Sequence, residues 1–489
     1  MRASLSSLLQ AIGIVSTAEA EVHALSLSSG DCQAGTLFCA VAGTRQHGLH
    51  YAAQAVEHGA VAVVYDPLGA PVVTLPKPVP LIPVPKLGQR LGELGAAFHG
   101  RPAEALTLVG VTGTDGKSSV VNFTGQLLRA CGIPTATLGT LGLDLGQGHV
   151  AGSHTTPDAL TLQAQLAHAR AAGCQAFVME VSSHAIAQGR VAGVAFDHVA
   201  LTTLGRDHLD YHRSLSEYHA TKRRLLAWPG VRTAHINGDA PLVRRAWEQA
   251  ESSAALHVYG GASDARWHLQ DAVPTAAGLD VQICVGDRQG HFALPLYGGF
   301  NAGNALAAAS LAEACGAPVE GLLEQLPLLR TVPGRMQALR TLGAPTAIID
   351  YAHTAEALDS ALQALRAHRP TQLACVFGCG GDRDRGKRPL MAAAAEKLAD
   401  RLYLTDDNPR TEDAEQIFAD IRAGLRKPRS CQALHDREAA IRLALDESSA
   451  EDIVLIAGKG HEDYQLVGSE RRSFSDHAVV RAWMQERQA

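Results

Sequence analysis

Between Leu108 and Arg129 the chain reads LVGVTGTDGKSSVVNFTGQLLR, a run of residue types suited to holding a polyphosphate. Gly113 and Gly116 let the backbone turn tightly and bring its N–H groups against an anion. Lys117 adds a mobile positive charge, and a helix starting near Ser118 turns the positive end of its dipole to the same point. The Ser118 hydroxyl, directly after the lysine, is where a phosphate-bound Mg2+ finds an oxygen ligand. Val111 stands where the longer form of this pattern has its first glycine, so this is the short TGTxGKS form, with Asp115 inside the loop. The chemistry predicted here is nucleotide phosphate binding.

Other polar residues able to do chemistry follow runs that read as buried strands. AFVMEVSS (176–183) delivers Glu180, Ser182 and Ser183 to a strand's carboxyl end, and the strand Val199 to Thr203 runs into RDHLDYH (206–212). In open α/β sheets ligands collect at that edge, so Glu180 and His208 are expected beside the phosphate loop, as a carboxylate and an imidazole suited to a divalent cation. TTPD (155–158) ends a loop and starts a helix. Lys222 lies on a later helix, where a lone lysine reads as a solvated surface charge. Farther on, the loops GCGGD (378–382), DDNPR (406–410) and GKGHE (458–462) each follow an expected strand. The first lacks the third glycine and acidic partner of a dinucleotide fingerprint, which sets a hydride-transfer reading aside.

These residues must be positioned by alternating strands and helices. At 489 residues the chain is too long for one core, and the pattern divides it into three domains at 1–104, 105–330 and 331–489. The first is a small α/β unit with strands Thr36 to Val41 and Ala60 to Val64 and a helix near Tyr51 to His58. Its proline-rich run from Pro76 to Pro85 reads as a rigid edge or connector. The second alternates strand and helix, which implies a parallel sheet with crossover helices, and carries a hairpin between Gly278 and Pro295. The third alternates again, with strands at Ala347, Leu373, Arg401 and Ile453. The fold class is α/β.

Composition narrows the function. A 46% hydrophobic, 19% charged chain is globular, and a net charge of −6 excludes a general nucleic-acid binder. Nine cysteines without a CxxC pair suit buried thiols in a reducing compartment. Leu5, Leu8, Leu9 and Ile12 recur at helical spacing and predict an amphipathic first helix, although Ala18-Glu19-Ala20 imitates a leader cleavage site. No run approaches the ~18 apolar residues of a membrane span. The expectation is a cytoplasmic protein without membrane insertion.

Taken together, TGTDGKSS, TTPD, EVSSHAIAQGRV, RDHLDYH, GGFNAGN, PGRMQ, DYAHT, GCGGDRDRGKRP, DDNPR and AGKGHEDY, in this order from about residue 110 to 464, resemble the Mur ligases, and more narrowly their MurE type. The resemblance implies a uridine-nucleotide domain, a central P-loop ATPase on a parallel sheet and a Rossmann-like C-terminal domain. It implies a monomer that uses ATP as co-substrate, with Mg2+, to join meso-diaminopimelate to UDP-MurNAc-L-Ala-D-Glu.

Carried over by position, Gly113, Thr114, Asp115, Gly116, Lys117, Ser118 and Ser119 would bind the ATP phosphates. Asn301, Arg335, Asp350 and His353 would add nucleotide and phosphate contacts. Metal ligands would be Ser118, Glu180, His208 and Lys222, the last carbamylated as in this family, which overturns its reading as a surface charge; Lys117, Lys222 and His208 would be the catalytic group. Ser29, Thr155, Thr156, Ser182, Gln188 and Arg190 match the UDP-MurNAc-dipeptide site. Arg383, Asp407, Asn408, Pro409, Arg410, Gly458 and Glu462 match the diaminopimelate pocket.

The chain departs from the family pattern at Asp115 and His154, where asparagine is common, and at Ala355, where proline is. Leu27-Ser-Ser-Gly30 replaces the usual D-S-R, so of that motif only Ser29 transfers. A folylpolyglutamate synthase would share the phosphate loop and the lysine, but the DNPR and GKGHE loops speak against it. A nucleotide-hydrolysing switch is the rival from another class.

Overall fold

The computed structural model describes residues 1–43, 46–146, 148–150, 152, 154–427 and 431–487. It divides into two units, Met1–Val258 with Ser310–Val319, and Tyr259–Ala309 with Glu320–Ala489.

In the first unit five strands run parallel in the order Thr135–Gly139, Ala176–Glu180, Thr107–Thr112, His198–Leu201, Thr233–Asn237. The strand that enters the phosphate loop is the middle one. Leu108, Val109 and Val111 are buried, as a strand covered on both faces requires. Glu180 pairs with Val111 and Leu201 with Thr112, so three strands finish together and their loops share one edge. Two strands stop sooner than their apolar runs predict. Ser182 caps the short helix Ser183–Ala187 by accepting from the Ala185 N–H, and the Thr202 hydroxyl donates to the Asp115 carbonyl. In both places a hydroxyl bonds to a loop or helix backbone instead of extending a strand.

A parallel four-stranded sheet, Ala24–Ser26, Thr36–Ala40, Ala60–Tyr65 and Leu81–Pro83, precedes this one in the chain. The helix Leu5–Ala11 packs Leu5, Leu8 and Leu9 into its core, beside Ile12, at the spacing the sequence shows. The proline-rich run supplies the edge strand Leu81–Pro83, where a missing donor is tolerated.

In the second unit five parallel strands stand in the order Thr346–Asp350, Ile453–Ala457, Leu373–Phe377, Arg401–Thr405, Cys431–Leu434, with Gln337–Leu339 antiparallel at the edge. Alternate residues face opposite ways. Ile348, Cys375, Phe377, Leu402 and Leu455 join the core of helices Ala355–Arg366, Lys387–Leu398 and Ala414–Arg422. Ala347, Val376, Tyr403 and Ile456 join that of Arg437–Asp446 and Asp476–Glu486. The predicted hairpin is present as Gly278–Val285 and Arg288–Leu294, but a third strand, Trp267–Thr275, completes it. A register shift between Leu269 and Asp271 breaks that strand's period of two and hides it in the sequence. All nine cysteines are free thiols; six are buried, while Cys131, Cys284 and Cys315 are half-buried. Among the described residues no helix is long and apolar enough to cross a membrane.

One buried relay in the first unit has a measurable consequence. His198 Nδ1 lies 2.8 Å from Thr233 Oγ1, which lies 2.8 Å from His235 Nε2, while His235 Nδ1 is 2.7 Å from Ser310 Oγ. Burial pulls the His198 pKa down to about 4 and the His235 pKa well below the usual range. The unfolded chain titrates near 6.5 and takes up protons first, so stability is full above about pH 6.5 and declines until folded His198 protonates. The urea midpoint should therefore fall between about pH 7 and pH 5, and His198→Gln should make that decline shallower. An equally steep decline in the variant would remove His198 from the explanation.

Candidate active site

The phosphate loop is fastened to the neighbouring strand end. Thr114 N–H donates to the Thr203 carbonyl at 2.9 Å, and Asp115 N–H to Thr203 Oγ1 at 2.9 Å. Thr202 Oγ1 donates to the Asp115 carbonyl at 2.5 Å. Gly113 passes so close that a Cβ there would stand 1.9 Å from Thr202 Oγ1. Gly116 is left-handed at φ +85° and turns the chain into helix Lys117–Ala130, whose first N–H groups lack intrahelical acceptors. Thr202 and Thr203 are not singled out by the sequence reading; their position at the end of a strand beside the loop is the signal that points to them.

Two lysines meet at this loop. Lys117 Nζ donates to the carbonyls of Gly113 and Thr114 at 2.8 Å each, and Lys222 Nζ donates to the same Gly113 carbonyl at 2.7 Å. Lys222 is 1% exposed, which rules out a solvated surface charge. Its pKa falls well below the usual lysine range, first from burial and then from the Lys117 charge. Its neighbour Tyr218, whose phenol is pushed up to about 12 by burial, stands 3.1 Å from Thr114 Oγ1.

Glu180, 2% exposed, accepts at Oε1 from Ser118 Oγ and from Thr140 N–H, both at 2.9 Å. A side chain at Gly139 would put its Cβ 2.1 Å from that oxygen, so the GTLG turn is shaped around the carboxylate. A serine hydroxyl and a carboxylate at a helix start are hard oxygen donors, and they fit Mg2+. The contacts of His208 are with neighbouring rings and a carboxylate. The residue is left-handed at φ +52°, its ring lies 4.6 Å from His184 and 6.3 Å from Tyr218, and Nε2 is 3.3 Å from Asp207. Among the described residues no three His, Cys, Asp or Glu side chains form a metal-holding group.

The residues expected at the dipeptide site form one network with Glu180. Thr156 Oγ1 donates to the Glu180 carbonyl at 2.8 Å and accepts from Ser182 N–H at 3.1 Å. Thr155 Oγ1 is 3.1 Å from Thr140 Oγ1. Arg190 donates to the Thr156 carbonyl at 3.0 Å and to Gln188 Oε1 at 2.8 Å. Ser29 stands apart, with its hydroxyl on Gln54 at 2.8 Å. The adjoining Ser26 and Ser28 line a cleft of about 550 Å³ with His23, Asp31, Asp158 and Thr161.

In the second unit Asp350 is a structural acceptor. Its two oxygens take the N–H groups of Met336 at 2.7 Å and Ala352 at 2.9 Å, while burial raises its pKa. Tyr351 carries the Arg335 guanidinium 4.5 Å above its ring, with His353 at 4.7 Å and His461 at 5.4 Å. A Cβ on Gly334 would stand 2.2 Å from His461 N, so the PGR and GKGH loops touch by their backbones. Buried Asn301 donates to the Tyr297 carbonyl at 2.7 Å and accepts from Asn304 at 3.0 Å.

The DDNPR and GKGHE loops also meet. Asn408 Nδ2 donates to Glu462 Oε2 at 3.0 Å, and Gly458 at φ +115° sets its Cα side against Asp407. Arg410, left-handed at φ +52°, exchanges backbone hydrogen bonds with the hairpin Tyr464–Val467/Glu470–Ser473, donating to Leu466 at 3.0 Å and accepting from Gly468 at 2.7 Å. Its guanidinium donates to the Gly381 carbonyl at 2.8 Å, and a Cβ on Gly380 would fall 2.8 Å from Arg410 and 3.8 Å from Arg383. Fully buried Arg388 braces this loop through Glu412 at 2.6 Å and Asp420 at 2.8 Å, and holds the Glu412 carboxyl down to about 2. Arg388 and buried Lys459 are given no role by the sequence reading; each lies in a motif it quotes, yet nothing in sequence marks a cation as buried.

Three family descriptions match successive parts of the chain. These are the Mur ligase family catalytic domain at 21–99, the Mur ligase middle domain at 111–312, and the Mur ligase glutamate ligase domain at 334–460. The chain is similar to a UDP-N-acetylmuramoyl-L-alanyl-D-glutamate–2,6-diaminopimelate ligase of Xanthomonas campestris pv. campestris, 44% identical over 467 residues that cover 94% of each chain. A protein of that name from Pseudomonas aeruginosa is 43% identical over 455 residues, 93% of each chain. A solved structure of such a ligase is 32% identical, with a TM-score of 0.72 over the full length of both chains. With its phosphate loop, its strand-edge sites and its whole length matched in this way, the chain belongs to the Mur ligase family.

Proposed function

We propose that this chain is the ATP-dependent ligase that joins meso-2,6-diaminopimelate to UDP-MurNAc-L-Ala-D-Glu in peptidoglycan assembly, acting in the cytoplasm as a monomer. The observation that carries the reading is the similarity, over 94% and 93% of the chain, to relatives bearing that name. The geometry supports it, because one chain holds both a phosphate loop and, in its second unit, a cluster of charged side chains where the DDNPR and GKGHE loops meet. We assign 1–104 to the uridine nucleotide, 105–330 to ATP and 331–489 to the amino acid.

The carboxylate of the D-glutamyl residue attacks the γ-phosphorus of ATP, giving an acyl phosphate and ADP. An amino group of diaminopimelate attacks the acyl carbon, forms the amide and expels phosphate. The first step converts a poor leaving group into a good one. Gly113 to Ser119 hold the phosphates through backbone N–H groups, and Lys117 swings from the loop carbonyls to the transferred phosphoryl group. Asn301, Arg335, Asp350 and His353 add nucleotide contacts, the first and third by shaping backbone. Thr155, Thr156, Ser182, Gln188 and Arg190 hold the dipeptide carboxylate in line, with Ser29 and the cleft beside it for the uridine end. Ser118, Glu180, His208 and carbamylated Lys222 are the residues that would hold Mg2+, which when bound neutralises phosphate charge. Arg383, Asp407 to Arg410, Gly458 and Glu462 receive diaminopimelate.

Lys117→Ala should lower amide formation on the order of a hundredfold or more with the fold intact, because its ammonium sits on charge that grows in the transition state. Near-normal turnover in the folded variant would sink that role. Burial and the Lys117 charge favour the neutral amine that CO2 capture by Lys222 needs, so its side chain should carry a carbamate. Lys222→Ala should be inactive and partly rescued by short carboxylates; a mass spectrum and density map showing a bare amine in the active, metal-loaded enzyme would count against it.

The amino acid itself is tested by mass spectrometry of products from UDP-MurNAc-L-Ala-D-Glu and a panel of diamino acids. Diaminopimelate differs from lysine by a distal carboxylate, which the planar Arg410 fork can hold through two hydrogen bonds. Losing a buried charged contact of this kind costs about 2–5 kcal/mol, whereas lysine makes no such contact. Arg410→Ala should therefore collapse the preference for diaminopimelate over lysine. Equal losses for both, or a wild type that prefers lysine, would refute the assignment.

A further inference from the structure

Lys459 stands between Gly458 and Gly460, both at positive φ, just past the end of strand Ile453–Ala457, and its side chain is 0% exposed. A cation taken wholly out of water survives only where acceptors surround it. Its Nζ donates to Glu462 Oε2 at 3.1 Å and to Asn408 Oδ1 at 3.2 Å, and lies 3.5 Å from Asp407 Oδ1. These three acceptors belong to the two loops assigned above to the amino acid.

The contacts fix more than distance. Asn408 Oδ1 also accepts from Leu466 N–H at 2.9 Å, an unambiguous donor, so its amide orientation is set and Nδ2 must face Glu462. Glu462 Oε2 thus has two donors already. Asp407 differs. It is 9% exposed, and its Oδ1, though near Lys459, accepts no hydrogen bond. A buried acceptor left open is a place for a ligand's donor. The two carboxylates and one ammonium leave one net negative charge, which a single amino group of the substrate would balance. Arg437, whose charge also acts on both carboxylates, is paired by Asp476 at 2.7 Å and donates to the Ala457 carbonyl at 3.0 Å.

We propose that Lys459 is a positioning residue for amino-acid recognition, locking Asn408 and Glu462 to each other so that Asp407 Oδ1 is the acceptor presented to the substrate's amino group. This rests on the ligase reading above. Without the ammonium, two carboxylates would flank Asn408, repel each other and present two competing acceptors in place of one.

The test is steady-state kinetics of the full chain with each substrate varied in turn, alongside hydroxylamine trapping of the acyl phosphate formed without amino acid. Lys459→Met should raise the KM for diaminopimelate about tenfold or more, while the KM values for ATP and for UDP-MurNAc-L-Ala-D-Glu stay within about twofold and the trapped acyl phosphate persists. The double variant Lys459→Met/Glu462→Gln removes one of the repelling charges. It should fold and show a raised KM for diaminopimelate that is smaller than in the single variant. If the single variant does not fold, the double variant is read alone, and an unchanged KM for diaminopimelate in it overturns the role. In a folded single variant, an unchanged KM for diaminopimelate, or equal losses for all three substrates, likewise overturns it. A wild type that forms no diaminopimelate product refutes the ligase reading instead, so the two failures are told apart.

Discussion

Removing a cation from water is costly unless acceptors replace the lost hydration, and this constraint governs how the polar loops of the chain are arranged. Arg388, Arg437 and Lys459 are all within 1% of complete burial. Each is met by oxygens from other elements of the chain, Lys459 also by Glu462 in its own loop. Arg388 closes on Glu412 and Asp420. Arg437 pairs with Asp476, and Lys459 gathers Asn408 and Glu462. Such pairs contribute little net stability compared with apolar packing, but breaking one leaves an unpaired buried charge, so they tie loop positions together firmly.

Backbone approach supplies the second constraint. At Gly113, Gly139 and Gly334 a side chain would overlap a neighbouring atom that cannot move cheaply, respectively a threonine hydroxyl held on a loop carbonyl, the Glu180 carboxylate and the His461 backbone. Those glycines let loops touch without side chains between them, so that carbonyls and N–H groups come within hydrogen-bond reach of charged side chains. The parallel strands make this possible, because within a sheet they bring their carboxyl ends to one edge. Charge and steric fit then act on the same few loops.

Much of this was legible in the sequence. The strand, glycine loop and helix from Thr107 to Ala130 lie where the residue types place them, and the strands at Leu373–Phe377, Arg401–Thr405 and Ile453–Ala457 match their apolar runs residue for residue. These are local signals: buried parallel strands are continuous apolar runs, and their ends are marked by glycine and polar residues. Strand Trp267–Thr275 escaped because its bulge interrupts the period, and the strand ends before Ser182 and Thr202 were placed too late because a hydroxyl's choice between strand and cap depends on what lies beside it.

The sequence by itself determined the α/β class, the order of the loops and the residues in them that could carry chemistry, since these follow from periodicity and residue type over short windows. Only the tertiary structure decided which of those residues are buried and with whom they pair. Lysine at 222 and lysine at 459 look like ordinary surface charges in one dimension, as their burial depends on segments 109 and 51 residues away. The same holds for Asp407, whose Oδ1 is buried without a hydrogen bond 3.5 Å from the Lys459 ammonium. Desolvation and pairing are collective quantities, fixed when the strand ends converge and not before.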